Sequence, residues 1–292
     1  MKKTALYIIA ILTCAPLFGQ VSGNQVQNSS NSSRYATSFA PEKLFINDSS
    51  FVIQAKMLLN AKADSYVAVF AVADTAKTVI ECNKRINTRI EKYLKDLEKE
   101  GFVEKNNAVD FTTQTKIYDY ENNVGVYEQF LSGYEIKKNV IIPFRNLDDL
   151  EKLILISARN KIYDLAKVDY VIEDMEKVYG QLFDAAIQII NSKKKRYLSV
   201  TNLKLKKASQ VYSESFRSLF PKDLYKSYTS NESTKYSNYN TRYDRKSLRK
   251  TPTYYYDKID YSGFDKVINP IVTEPVLQHV LNLQIKFEIE QD

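Results

Sequence analysis

The chain has 292 residues, 44% of them hydrophobic and 26% charged, with a formal net charge of +7; this is a globular composition and excludes a disordered or fibrous protein. Its two cysteines, Cys14 and Cys82, provide no disulfide framework, because Cys14 falls in an apolar leader. One histidine and seven glycines leave little material for a histidine relay, a zinc cluster, a Walker loop or a dinucleotide fingerprint.

Lys2 and Lys3, the apolar run over residues 5–12 and the small residues leading to Gly23 follow the order of a secretory signal peptide, too short to span a bilayer. Residues 1–23 are therefore read as a leader, with cleavage after Gly19 or Gly23. Thr13 is bulkier than the residue that precedes a lipoprotein cysteine, so acylation of Cys14 is not expected. Residues 24–43, rich in Asn, Ser and Gln, read as a polar tether, and residues 44–292 as one domain. Removal of the leader lowers the formal charge of +7 by two.

Phe51, Ile53, Ala55, Met57 and Leu59 alternate with Gln54, Lys56 and Asn60, which predicts a half-buried strand. Residues 66–73 are apolar on both faces and predict a central strand, paired with the preceding one as a hairpin. Asp74 or Thr75 would then cap a helix whose stripe is Val79, Cys82, Ile86, Ile90, Leu94 and Leu97, closed by Gly101. Alternation from Val109 to Ile117, turn residues Asn122, Asn123 and Gly125, and renewed alternation at Tyr134, Ile136, Val140 and Ile142 predict a second hairpin.

Asn146 is the expected cap of a second helix, with Leu147, Leu150, Ile154 and Ala158 inward and Asn160 at its end. Residues 165–172 read as a strand. Glu173 and Asp174 open a third helix with Val178, Leu182, Ala185, Ala186, Ile189 and Ile190 inward, ending at the cationic run Lys193, Lys194, Lys195 and Arg196. A strand is predicted over residues 197–205. Residues 222–262 are rich in Tyr, Ser, Asn, Lys and Arg and read as an insertion without a core of its own. Leu277, His279, Leu281, Leu283, Ile285, Phe287 and Ile289 then form one face of a strong terminal strand. The fold class is α+β: mainly antiparallel sheet with three helices, in the order ββαββαβαβ, insertion, β.

That order resembles the SIMPL-domain family of bacterial envelope proteins. The likeness is carried by residues 63–78, Gly101, the run Gly133-Tyr134-Glu135-Ile136 leading to Arg145-Asn146-Leu147-Asp148-Asp149-Leu150, and the ending over 270–290. The resemblance implies a periplasmic or outer-membrane-associated protein, tied in some relatives to envelope or oxidative stress and to self-association. It implies no catalytic residues.

The chemistry legible in the residues agrees with a non-enzymatic protein. His279 sits in register with Leu277 and Leu281 and reads as a hydrogen-bonded core histidine. Cys82 lies on an apolar helix stripe and reads as an inert thiol. Carboxylate pairs at 148–149 and 173–174 read as helix-start residues, which leaves an envelope hydrolase as the weaker alternative. No cofactor or metal is expected. The basic residues of the insertion, Arg242, Arg245, Lys246, Arg249 and Lys250, interleaved with tyrosines, suit an anionic partner. Export argues against nucleic acid and for lipopolysaccharide, peptidoglycan, anionic lipid or a protein; a homo-oligomer is the assembly that the resemblance implies.

Overall fold

The computed structural model describes residues 45–47, 49–102, 107–123, 125–228 and 253–290. Residues 1–23 and 24–43, expected as a leader and a tether, and the basic residues Arg242, Arg245, Lys246, Arg249 and Lys250 lie outside the described residues. In chain order the elements are β1 (Phe45–Asn47), β2 (Ser50–Ala61), β3 (Ser65–Ala76), α1 (Val79–Lys99), β4 (Ala108–Asn123), β5 (Val126–Phe144), α2 (Asp149–Arg159), β6 (Asp164–Val171), α3 (Met175–Thr201) and β7 (Leu205–Leu219). There follow β8 (Tyr225–Tyr228), β9 (Thr253–Tyr256), β10 (Lys266–Ile268) and β11 (Leu277–Ile289). The α+β class is as expected from the sequence, and the element order is roughly so: the short strands β1, β8, β9 and β10 are additions to it.

The chain divides into two compact units. The larger takes in everything described up to Leu224 and again from Tyr256; of the smaller, the structure describes β8 and the start of β9, which pair as a two-stranded sheet.

Within the larger unit, one antiparallel sheet has the order β4-β5-β3-β6. The face of β3 carrying Tyr66, Ala68, Phe70 and Val72 packs on Cys82, Ile86, Ile90, Tyr93 and Leu97 of α1 and on Leu153 and Ile156 of α2. The other sheet runs β1-β2-β11-β7, with β10 added parallel to β2. Its inner face joins Ile53, Ala55 and Met57 of β2 to Leu281, Leu283 and Ile285 of β11 beneath Leu182, Ala186 and Ile190 of α3.

The predicted hairpin between β2 and β3 does not form, since the two strands belong to different sheets. Residues 62–64 carry no positive-φ backbone with which a tight hairpin would close. β2 instead pairs along its length with β11, Leu277 opposite Ala61 through Glu288 opposite Ser50. Burial of Val52, Leu58 and Asn60 makes β2 covered on both faces rather than half-buried.

The helix boundaries differ from the expected ones at three points. β5 continues as a partner of β3 as far as Tyr134 opposite Ala76, which carries the strand past Asp74 and Thr75, so Thr78 becomes the cap and its side chain accepts from the Glu81 N–H at 3.2 Å. α2 begins at Asp149 with no side-chain cap, and Asn146 only closes a turn through its carbonyl. α3 runs through to Thr201 and stops at Asn202 in the left-handed conformation, φ 56. The strand predicted over 197–205 is therefore displaced to β7; Tyr197, seven positions after Ile190, stays on the inner stripe of the helix and packs on the same core.

Ile154 is also corrected: it is 41% exposed. The buried positions are Leu153, Ile156 and Ser157 of α2 and Asn160 just after it; Leu147 and Leu150 pack on the same core as expected, whereas Ala158 is exposed. Two of the four buried positions are polar, and the apolar run over 153–156 fits either phase of a helix. Asn160 donates to Asp96 Oδ2 and to the Ile156 carbonyl, both at 3.0 Å, and so ties α2 to α1.

The end of α1 has the expected form. Gly101, at φ +84, follows Glu100; its N–H donates to the Glu98 carbonyl, while the Phe102 N–H donates to the Leu97 carbonyl. This double closure requires the left-handed residue that glycine supplies.

Candidate functional site

The β4–β5 hairpin is a part of the larger unit that packing leaves bare. β4 is an edge strand, bonded among the described residues only to β5. The two strands turn at Gly125, φ +86, whose N–H donates to Asn122 Oδ1 at 3.0 Å. Near its base the ribbon rests on β3, and there Gly133 is obligatory: a Cβ at that position would stand 2.8 Å from the Ala76 carbonyl oxygen. Beyond that crossing both faces of the ribbon are exposed.

Register separates the chemistry of those faces. Tyr120 stands opposite Gln129, Tyr118 opposite Leu131 and Asn122 opposite Tyr127, which puts Tyr118, Tyr120, Tyr127 and Leu131 on one face. Tyr120 is 67% and Tyr127 71% exposed. On the reverse, Asp119 is opposite Phe130 and Glu121 is opposite Glu128. Like charges directly across a ladder repel, and none of these three carboxylates forms an ion pair among the described residues. The ribbon thus presents an aromatic face, an acidic face and an unpaired edge. Such an edge is a template for another strand.

The sequence-predicted chemical residues are elsewhere. His279 is fully buried on β11, with Nδ1 2.8 Å from Ser218 Oγ and its ring stacked on Phe216. Its Nε2 has no partner, and burial lowers its pKa from 6.5 to about 4. A neutral, sealed imidazole holds β7 to β11. Cys82 is buried, its thiol donating to the Asp74 carbonyl at 3.0 Å, and burial pushes its pKa up, which disfavours the reactive thiolate. Among the described residues no three His, Cys, Asp or Glu stand together as a metal would require.

Of the cationic run, Lys193 is committed to the Gln54 carbonyl at 2.8 Å and to Asp265 at 2.5 Å. Because α3 continues beyond it, the run is not a helix terminus. The last part of the supposed insertion is also structural. Tyr261 accepts from Asn60 Nδ2 at 2.8 Å and donates to the Pro270 carbonyl; the Ile259 N–H donates to Gln278 Oε1; and Gln278 Nε2 donates to Asn60 Oδ1 at 2.7 Å. The two-faced ribbon escaped the sequence reading because its sides depend on a register shift between Ile117 and Tyr118.

The family profile described as SIMPL, protein of unknown function (DUF541), matches residues 54–252. The match begins within β2, covers both hairpin strands and all three helices, and stops before β11. No curated protein matches the chain.

Proposed function

This chain belongs to the SIMPL family, and on that premise we propose that it is an exported, non-enzymatic envelope protein that works by assembling with further copies of itself. The observation that carries the proposal is the bare β4–β5 ribbon. Its edge leaves a row of backbone groups open, and its exposed tyrosines supply apolar area at low entropic cost. A two-stranded ribbon exposed on both faces is marginal by itself, and the Glu121–Glu128 repulsion weakens it further. A second copy adding its own β4 edge to edge would complete the ladder with two-fold symmetry.

The signal-like order of residues 1–23 supports export to the periplasm, and the family likeness supports an outer-membrane association and a part in envelope or oxidative stress defence. No helix among the described residues is long and apolar enough to cross a membrane. Light scattering of the purified chain tests assembly: a mass of two or more copies that falls on dilution is the expected result, and a monomer at every concentration defeats it.

A further inference from the structure

A second surface lies at the opposite end of the chemistry, where the last turns of α3, the start of β7 and the end of β11 enclose an open cleft of about 530 Å³. We propose that this cleft binds a phosphate group carried on an apolar body.

The cleft arises from an irregular ladder. Ser209 is opposite Phe287 and Leu205 opposite Ile289, so β7 spends four residues where β11 spends two. Such a bulge re-aims side chains that would otherwise alternate, and the consecutive residues Lys206 and Lys207 both line the opening. Lys204 joins them from the connection, and Lys194 reaches across from α3 with its ammonium 5.0 Å from the centroid of the Phe287 ring. Part of the lining is apolar: Phe287 is buried, and Leu198 and Leu203 are half-buried, while Ser209 adds a hydroxyl.

Charge on this surface is unbalanced. Among the described residues Glu290 is the one carboxylate that lines the cleft, while Lys206 is engaged by Glu288 beside it at 3.1 Å. Lys194, Lys204 and Lys207 form no ion pair among the described residues. Three ammonium groups beside an apolar patch suit an anion with an apolar body better than a bare ion, because the lysines take the phosphate oxygens while Phe287, Leu198 and Leu203 favour burial of hydrocarbon. The cleft is open to solvent and has room for a small phosphate ester or a lipid headgroup. A soluble phosphate ester and an anionic lipid headgroup share this chemistry. The proposal is independent of assembly through the β4–β5 ribbon.

The test uses the full chain with phenyl phosphate, inorganic phosphate and phosphatidylglycerol vesicles as probes, in parallel with the double variant K204S/K207S and with F287L. Both lysines are exposed, so the double variant should melt like the parent. Calorimetric titration is expected to give tighter binding of phenyl phosphate than of inorganic phosphate, weakened about tenfold or more in K204S/K207S as charge-assisted contacts are lost, and by rising salt. In F287L the preference for the phenyl ester over the bare ion should shrink. Vesicle binding lost in K204S/K207S assigns the site to a lipid headgroup; binding of the soluble ester without a vesicle effect assigns it to a free phosphate ester; each supports the proposal. Phenyl phosphate that does not bind, or that binds parent and K204S/K207S equally, overturns it.

Discussion

The imidazole of His279 lies flat against the ring of Phe216, the centroids 6.0 Å apart and the planes 3° apart. The stack closes one side of the ring, and the Ser218 hydroxyl occupies Nδ1 at 2.8 Å. Burial therefore holds the folded pKa at about 4, below the ordinary 6.5.

The sign of the resulting pH dependence follows from proton uptake. Below about pH 6.5 the unfolded chain gains a proton that the folded chain refuses until about pH 4, so stability falls as pH drops through this window. The contribution lost from this one group is on the order of 3 kcal/mol and is complete below the folded value. His279→Gln should flatten that part of the profile. Urea melts at both ends of the window check this; parallel losses in parent and variant would assign the pH dependence to other groups.

Phe70 is buried on β3, edge-on to Tyr93 with centroids 5.9 Å apart. Phe70→Ala should cost about 3–5 kcal/mol by cavity formation. Ile154→Ala, on the exposed side of α2, should change stability by about 0.5 kcal/mol or less. Comparable losses at the two positions would contradict the phase assigned to α2.

Two glycines give a paired test of backbone approach. A methyl at Gly133 would press on the Ala76 carbonyl oxygen, whereas one at Gly180, inside α3, meets nothing within 4 Å. Gly133→Ala should destabilise by about 1–3 kcal/mol, and Gly180→Ala should stabilise by about 0.5–1 kcal/mol. Thermal melts distinguish them, and a neutral Gly133→Ala would show that β5 can move away from the end of β3.

The polar cluster of Asn60, Gln278 and Tyr261 separates the dispensable from the structural part of residues 222–262. Gln278 is wholly buried and Asn60 nearly so, and each is bonded through the other. A chain in which residues 229–252 are replaced by a short turn should melt like the parent. Deletion of all of 222–262 should fold less stably, because it removes the Ile259 N–H and leaves the buried Gln278 Oε1 without its donor, at about 1–3 kcal/mol, and takes Tyr261 from Asn60 Nδ2, which keeps the Asn269 carbonyl. Equal stability of the two deletions would refute the structural role of this cluster.

What could be read from sequence followed locality. The stripe Cys82, Ile86, Ile90 and Leu97 keeps a clean helical period up to Gly101, so the buried face and the end of α1 were legible, whereas its start was not, because β3 runs on past Asp74 and Thr75. The alternation of β11 was equally plain, since Leu281, Leu283 and Ile285 have no competing phase. The partner of β2 was not legible: Ala61 meets Leu277 across more than two hundred intervening positions, and nothing local distinguishes that pairing from a hairpin with β3. The inward face of α2 was hidden because it carries the polar Ser157 and Asn160, whose hydroxyl and amide NH2 donate within the fold. The candidate surfaces were hidden for a related reason. The sides of the β4–β5 ribbon and the lysine-lined cleft both depend on irregular register, at Ile117/Tyr118 and at Phe287/Ile289, which periodicity alone does not reveal.

The most direct test of the assembly reading is sedimentation velocity of the chain over a wide concentration range, beside the variant Y118S/Y120S/Y127S. These tyrosines are exposed, so the variant should melt like the parent. The account predicts that the parent sediments as two or more copies, and that the variant dissociates at concentrations where the parent remains assembled. A parent that sediments as a monomer throughout, or a variant that assembles as strongly as the parent, would contradict it.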